Sequence, residues 1–170
     1  MLRASRFLSE THDDFTVIIA GSGTELERVR DFVNSDPVLG ERVRLTGFLS
    51  RDRVYELRSI SGVSLCLMGG FSLIEACAAG SVPISYAIEW HGELVRNGET
   101  GFLVSEGDVD GVVCAMAQVL DDPELAKSLG TVAQRLARSR HDIGATTHIK
   151  RQHYLDLLQL RAHRHWMTAA

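Results

Sequence analysis

The stretch Gly69-Gly70-Phe71-Ser72-Leu73-Ile74-Glu75 places a lone carboxylate one turn inside a helix that a glycine pair introduces. A Gly-rich turn entering a helix presents unpaired N–H groups at the positive end of the helix dipole, which suits a phosphate. On this reading Gly69, Gly70, Phe71, Ser72 and Leu73 offer main-chain donors. The same residues have a purely structural reading: a plain strand-to-helix turn in which Ser72-x-x-Glu75 closes a capping box. Pattern alone puts the capping role of Glu75 first.

A second cluster is Glu89-Trp90-His91-Gly92-Glu93. An indole face stacks on pyranose C–H groups, polar tips reach hydroxyls, and an imidazole titrates near neutrality. The bland alternative, favoured for catalysis, is that Trp90 packs its loop and the charges face water. Gly21-Ser22-Gly23 supplies two glycines of a dinucleotide fingerprint, but position 26 is Leu, so NAD binding is not read. His148, His153, His163 and His165 are too scattered for a metal site, and no metal is expected. Arg135, Arg138 and Arg140 form a helical charge stripe that reads as surface.

The elements that must position these residues alternate. Apolar, β-branched runs at 15–20, 43–46, 63–68, 82–86 and 101–104 predict five strands. Between them come the end of an amphipathic helix within 1–10, a helix opened by a Thr24-x-x-Glu27 box with Leu26, Val29, Phe32 and Val33 inward, and a loop marked by Pro37 and Gly40. Ser50 caps a helix to about 59 with Val54, Tyr55 and Leu57 inward, and the Glu75 helix stops at Gly80. Past Asn97-Gly98, Asp108 opens a helix to about 120, and Asp122-Pro123 opens one to about 137. A break at 141–144 precedes a last helix over 145–160 and a frayed tail to 170. The expected fold is α/β: a Rossmann-like, doubly wound parallel sheet with helices on both faces.

Gly70-Phe71-Ser72-Leu73-Ile74-Glu75-Ala76-x-Ala78-x-Gly80-x-x-Pro83, followed by Glu93-Leu94-Val95-x-Asn97-Gly98-Glu99-Thr100-Gly101-Phe102-Leu103-Val104, resembles the carboxy-terminal, nucleotide-sugar-binding domain of family 4 (group 1) glycosyltransferases of the GT-B fold. The likeness runs from about Leu2 to about Tyr154. It implies retaining transfer of a sugar from a nucleotide-diphosphate sugar to an acceptor hydroxyl, without a cofactor or bound metal. It implies that Glu75 holds the donor ribose, that Gly69 to Leu73 face the diphosphate, and that the Gly21 loop borders the nucleotide cleft. Gly47, Phe48 and Leu49 then match the segment that meets the base, although core packing explains Phe48 and Leu49 equally well. Trp90 and His91 become sugar-proximal, and Glu93 falls at a commonly acidic position. Eight residues before Glu75 the family places a second glutamate; here that position is Leu67.

The resemblance also implies parts outside this sequence. In the doubly wound order 3-2-1-4-5-6 the run at 15–20 matches the second strand, so the first, central strand and the acceptor-binding domain are expected ahead of Met1. Without that strand two edges are left unpaired unless the sheet closes differently or a missing segment, a dimer partner or strand exchange fills the gap. The family's diphosphate Arg and Lys are expected in the same upstream region, with Arg53 and Arg6 as the nearest substitutes here. The isolated chain is therefore expected to be inactive. The alternative is a non-catalytic nucleotide-binding or protein-interaction module that kept the fold. A receiver-like fold is disfavoured, because the strand ends carry glycines rather than a carboxylate cluster.

A chain of 170 residues forms one domain, 1–170, with the terminal helix and tail at 145–170. At 45% hydrophobic and 24% charged residues it reads as globular rather than disordered. A net charge of −4 gives no reason to expect a nucleic-acid partner. Cys66, Cys77 and Cys114 lie in apolar segments and predict reduced core thiols of a cytosolic protein. No run approaches membrane-span length. Polysaccharide or glycolipid assembly, in the cytoplasm or peripherally at the inner membrane face, is the family-level expectation for the pathway.

Overall fold

A computed structural model of the chain describes residues 1–167. The last helix runs on to Met167, past its expected end near 160; residues 168–170 of the expected tail, and the side chains of His163 and His165, lie outside the described residues. The chain runs α1 (Leu2–Leu8), β1 (Val17–Ala20), α2 (Leu26–Asn34), α3 (Pro37–Arg42), β2 (Val43–Gly47), α4 (Arg51–Ile60), β3 (Val63–Leu65), α5 (Phe71–Ala79), β4 (Val82–Tyr86), a 3-10 turn (His91–Glu93), β5 (Phe102–Val104), α6 (Val109–Asp121), α7 (Pro123–His141) and α8 (Ile143–Met167).

Three local expectations are corrected. The segment expected as a loop at 37–42 is α3: the Asp36 carboxylate accepts from Val38 and Leu39 N–H, and Pro37 takes the first helical position. The Thr24-x-x-Glu27 box does not form; α2 starts at Leu26 with Glu25 as N-cap, and Glu27 pairs instead with Arg30. The Ser72-x-x-Glu75 box does not form either, because α5 begins at Phe71 with Gly70 as N-cap and no side-chain cap. A helix that starts two residues early places Ser72 inside its first turn, where its hydroxyl no longer serves the box.

The strands are all parallel but fall into two sheets, β1-β2 and β3-β4-β5. Among the described residues no strand pairing joins β1 to β3. The expected single doubly wound sheet is therefore split where its central strand would lie, and it does not close another way. Between the halves is a cavity of about 280 Å³, walled by Val17 to Ala20 on one side and Ser64 to Cys66 on the other, with Val54, Leu57 and Arg58 of α4 over it. Each half keeps its own core. Val33, Leu39 and Val43 pack with Val17, Ile19 and Leu45 in the first. Leu73, Ala76, Cys77, Leu94 and Val95 pack with Ala133 and Ala137 of α7 in the second. Helix α1 bridges the two: its Ala4 and Leu8 join a cluster with Ile84, Val112 and Met116, while its Leu2 packs against the first core.

The Asn97-Gly98-Glu99-Thr100-Gly101 segment is a structural staple. Buried Thr100 donates its hydroxyl to Leu94 O at 2.8 Å and accepts from Arg96 N–H at 2.7 Å, and Asn97 Oδ1 accepts from Leu103 N–H at 2.6 Å. Gly101 presses on β4 so closely that a Cβ there would lie 2.3 Å from Pro83 O. Pro83 and Gly101 thus form one contact, which explains why they occur together in the pattern.

Two of the three cysteines are buried as expected, but Cys114 is exposed. Helix α6 buries Val112, Ala115, Met116 and Val119, and position 114 falls off that stripe. Burial raises the Cys66 thiol, and burial, with a smaller contribution from Cys66, pushes Cys77 up to about 12. Below pH 9 both states keep this proton. As pH rises from about 9 toward about 12 the unfolded thiol ionises first, so stability falls across that window. In native protein at pH 8 a thiol reagent is expected to label Cys114 alone, with Cys66 and Cys77 reacting only after denaturation. Fast native labelling of Cys77 would contradict this burial.

Candidate functional site

The carboxyl ends of β2 and β3 open on the same side. The first residue of α4, Arg51, reaches Glu75 near the start of α5, its Nη2 lying 3.3 Å from Glu75 Oε1. Arg58, two turns further along the same face of α4, makes the more buried contact. Its Nη1 donates to Ser72 O at 2.6 Å, its Nη2 donates to Ser72 Oγ at 2.7 Å, and Nη1 lies 3.4 Å from Glu75 Oε2. The Arg58 side chain is only 17% exposed, against 33% for Glu75. Arg51, Tyr55, Arg58, Glu75 and Ala78 line a pocket of about 230 Å³ between the two helices. Sequence reasoning missed Arg51 and Arg58 as site residues and gave Tyr55 only a core role. Their i, i+4, i+7 spacing was the available signal, since it puts all three on one face of α4.

The substitutes named for the family's diphosphate cations lie elsewhere. Arg53 pairs with Glu56 on the exposed side of α4, and Arg6 pairs with Asp36 and Glu10. A guanidinium beside a helix N-terminus opposes the helix dipole. The Ser72 oxygens and the Glu75 carboxylate hold Arg58 there, and two arginines around one carboxylate leave that end of α5 net positive.

The turn ahead of α5 rests on a buried histidine. Gly69 N–H donates to Cys66 O at 3.0 Å, and Gly69 has φ +63°. Its missing Cβ would lie 1.8 Å from His91 Nε2. His91 is 1% exposed. Its Nδ1 lies 3.0 Å from Tyr86 O and 2.9 Å from Ser85 Oγ, while Ser85 Oγ donates to Cys66 O at 2.8 Å. Tyr86 O only accepts, so the proton is assigned to Nδ1 and the Nε2 lone pair faces the Gly69 turn. Trp90 stacks edge-on to this ring at 5.3 Å and is half-buried against the α5 core. Glu89 is exposed at φ +46°, a backbone region unusual for a side chain of its kind. Glu93, at the end of this cluster, gives its carbonyl to Arg140 at 2.9 Å, so one arginine of the α7 stripe anchors the turn.

The other predicted residues divide. Gly70 is the N-cap of α5, and Phe71 is 82% exposed. Leu73 gives its N–H to Gly70 O at 3.1 Å, which leaves Phe71 and Ser72 as the open first-turn donors. Gly21 N–H donates to Gly47 O at 2.8 Å, so these two glycines tie together the carboxyl ends of β1 and β2. Phe48 is 79% exposed, which removes core packing as its role; Leu49 is half-buried. Leu67, at the position of the family's second glutamate, packs on the Ile84 cluster. Among the described residues no three His, Cys, Asp or Glu side chains converge as a metal site would need, and no helix is long and apolar enough to cross a membrane.

Parallel strands with helix crossovers, and a glycine turn feeding a helix at their carboxyl ends, define an α/β domain of the Rossmann type. The profile of the family "Glycosyl transferases group 1" matches residues 1–136, and the chain belongs to that family. It is similar to the glycogen synthase of Mycobacterium tuberculosis, with 33% identity over 139 residues covering 79% of this chain and 33% of that one. It is also similar to the N-acetyl-alpha-D-glucosaminyl L-malate synthase of Bacillus anthracis, with 30% identity covering 73% and 33% respectively. The chain thus spans about one third of the length of these relatives. Among solved structures, Anabaena HepE in complex with UDP and glucose superposes with a TM-score of 0.76 at 21% identity, covering 93% of this chain and 43% of that one. TarM superposes with a TM-score of 0.78 at 13% identity, covering 91% and 31%. The shared architecture is that of GT-B glycosyltransferases.

Proposed function

We propose that this chain is the donor-binding domain of a retaining glycosyltransferase, which moves a hexosyl group from a nucleotide-diphosphate sugar to an acceptor hydroxyl. The observation that carries this reading is Glu75: a partly exposed carboxylate one turn into α5, beside the open N–H groups of Phe71 and Ser72. Its two oxygens suit the vicinal hydroxyls of a ribose, and the helix start with Arg51 and Arg58 suits a diphosphate. Exposed Phe48, with Leu49 and the main chain at Gly47 and Gly21, borders the base. Trp90 is the sugar-side residue, and His91 supports the turn from beneath. The family membership and the UDP complex of HepE support a nucleotide-sugar donor. Transfer proceeds without a metal or cofactor. An acceptor-binding domain in a longer chain completes the enzyme, in the cytoplasm or at the inner membrane face, within polysaccharide or glycolipid assembly. The cavity between β1 and β3 is filled there by an upstream strand or by strand exchange.

One observation favours a second reading, a non-catalytic nucleotide-binding module: the position of the family's sugar-contacting glutamate is Leu67, which packs into the core. Sugar transfer by the chain joined to an upstream domain excludes that module.

The test is calorimetric titration of the purified chain with UDP, GDP and ADP. One of them is expected to bind, and Glu75→Ala to weaken it by about tenfold or more, the worth of charge-assisted hydrogen bonds. Glu75 makes no capping bond, so the melting temperature is expected to change little. Unchanged affinity in Glu75→Ala would sink the ribose role.

A further inference from the structure

We infer that Arg58 is a positioning residue for nucleotide recognition: it fixes the Glu75 carboxylate so that this group distinguishes ribose from deoxyribose. The inference rests on the proposed donor-binding role of Glu75 and adds to it a residue on a different helix. The geometry is specific. One guanidinium spans three acceptors on the first turns of α5, Ser72 O, Ser72 Oγ and Glu75 Oε2. The two bonds to Ser72 are short and the contact with Glu75 is longer, so Arg58 is anchored by Ser72 and steers Glu75.

The anchoring matters because a glutamate has three side-chain torsions and freezing them costs entropy on binding. An arginine already held by two other bonds has lost that freedom before the ligand arrives. It contacts Oε2 from the α4 side while Arg51, 84% exposed, reaches Oε1. A carboxylate oxygen has more than one lone-pair direction. The lone pairs not turned toward the arginines are thereby held in a fixed place, where two vicinal hydroxyls can donate to them. A flat guanidinium fork performs this; a point-charge ammonium does not bridge all three acceptors.

The charged groups facing Glu75 are Arg51 and Arg58 of α4, and Arg58 faces one charged group, Glu75, beside the neutral Ser72 oxygens of α5. Arg58 therefore acts through Glu75 and Ser72 rather than by touching the sugar.

The experiment measures the affinity of the whole chain for the best-bound of UDP, GDP and ADP and for its 2′-deoxy counterpart, in the wild type and in Arg58→Met, Arg58→Lys and Ser72→Ala. The wild type is expected to prefer the ribonucleotide by about tenfold, the worth of one charge-assisted hydrogen bond. Arg58→Met is expected to bring the ratio close to one, mainly by weakening the ribonucleotide. Arg58→Lys and Ser72→Ala, which keep a cation or remove one anchor, are expected to fall between. A residue that merely braced the helices would lower the melting temperature and both affinities together, leaving the ratio unchanged. An unchanged ratio in folded Arg58→Met overturns the role of Arg58 and leaves Glu75 as the ribose ligand. If Arg58→Met does not fold, an unchanged ratio in both Arg58→Lys and Ser72→Ala overturns it instead. A wild type that binds both nucleotides equally, or binds none of the three, overturns the Glu75 reading and this inference with it.

Discussion

Gly69→Ala is expected to destabilise the protein by about 2–4 kcal/mol, since it combines a left-handed backbone penalty with an overpacked core. The new methyl would sit 1.8 Å from His91 Nε2 and 2.4 Å from Cε1 at a residue with φ +63°. The imidazole has nowhere to go, because Ser85 and Tyr86 hold its Nδ1 and the ring is buried. Either the ring is expelled or the turn that feeds α5 moves, so nucleotide affinity should fall with stability. Urea denaturation reads the first effect and titration the second. His91→Ala in the same chain removes the steric part and leaves the backbone part, so the double variant is expected to lose less than the sum of the two single losses. A Gly69→Ala protein within 0.5 kcal/mol of wild type would mean that the close approach of Gly69 to His91 is not maintained in solution.

The second large effect is expected at Leu73. Its side chain is fully buried in the core shared by α5, the residues flanking the 3-10 turn and α7. Leu73→Ala should cost about 3 kcal/mol, the sum of lost transfer energy and a residual cavity. Its main-chain N–H already bonds to Gly70 O and its side chain points away from the open end of the helix. At a temperature where the variant is folded, its nucleotide affinity should therefore stay within about twofold of wild type. Glu75→Ala is expected to do the reverse. The two variants, two residues apart on the same helix, separate what α5 does for the fold from what it does for the ligand. A small stability loss in Leu73→Ala, read as an unchanged urea midpoint, would place the core elsewhere.

Much of this architecture was legible in the chain. The five strands, the Asp108 and Asp122 caps, the stop at Gly80 and the family pattern through Asn97-Gly98-Glu99-Thr100-Gly101 all follow from local signals, and each is present. The reading of 37–42 as a loop takes Pro37 and Gly40 as breakers and passes over Asp36, although Asp122-Pro123 carries the same Asp-Pro helix start. The Arg58 clamp was harder to see. Its partners lie 14 and 17 residues away on another helix, and only the packing of α4 on α5 makes them neighbours. A capping box is a local pattern, so it drew Ser72 and Glu75 to each other; the tertiary contact gives both to an arginine instead. His91 shows the same limit. Its residue type suggested chemistry at a surface, while its position beneath a glycine with no side chain is a fact of three-dimensional packing.

The split between β1 and β3 also bears on how the molecule breathes. Native proteins open in contiguous units whose free energies differ, and backbone bonds shared between units couple them. Here the β1-β2 half and the β3-β4-β5 half share no ladder among the described residues, and each half has a cluster of its own. The amides of Val17 to Ala20 and Val63 to Leu65 that face the cavity lack the partner an interior strand would give them. Amide exchange is therefore expected to be faster at Val17 to Ala20 than at Val82 to Tyr86, the first half loosening while α5 stays folded; equal protection would contradict it. A strand laid into the cavity would bond to both edges at once and turn two weakly coupled units into one cooperative sheet.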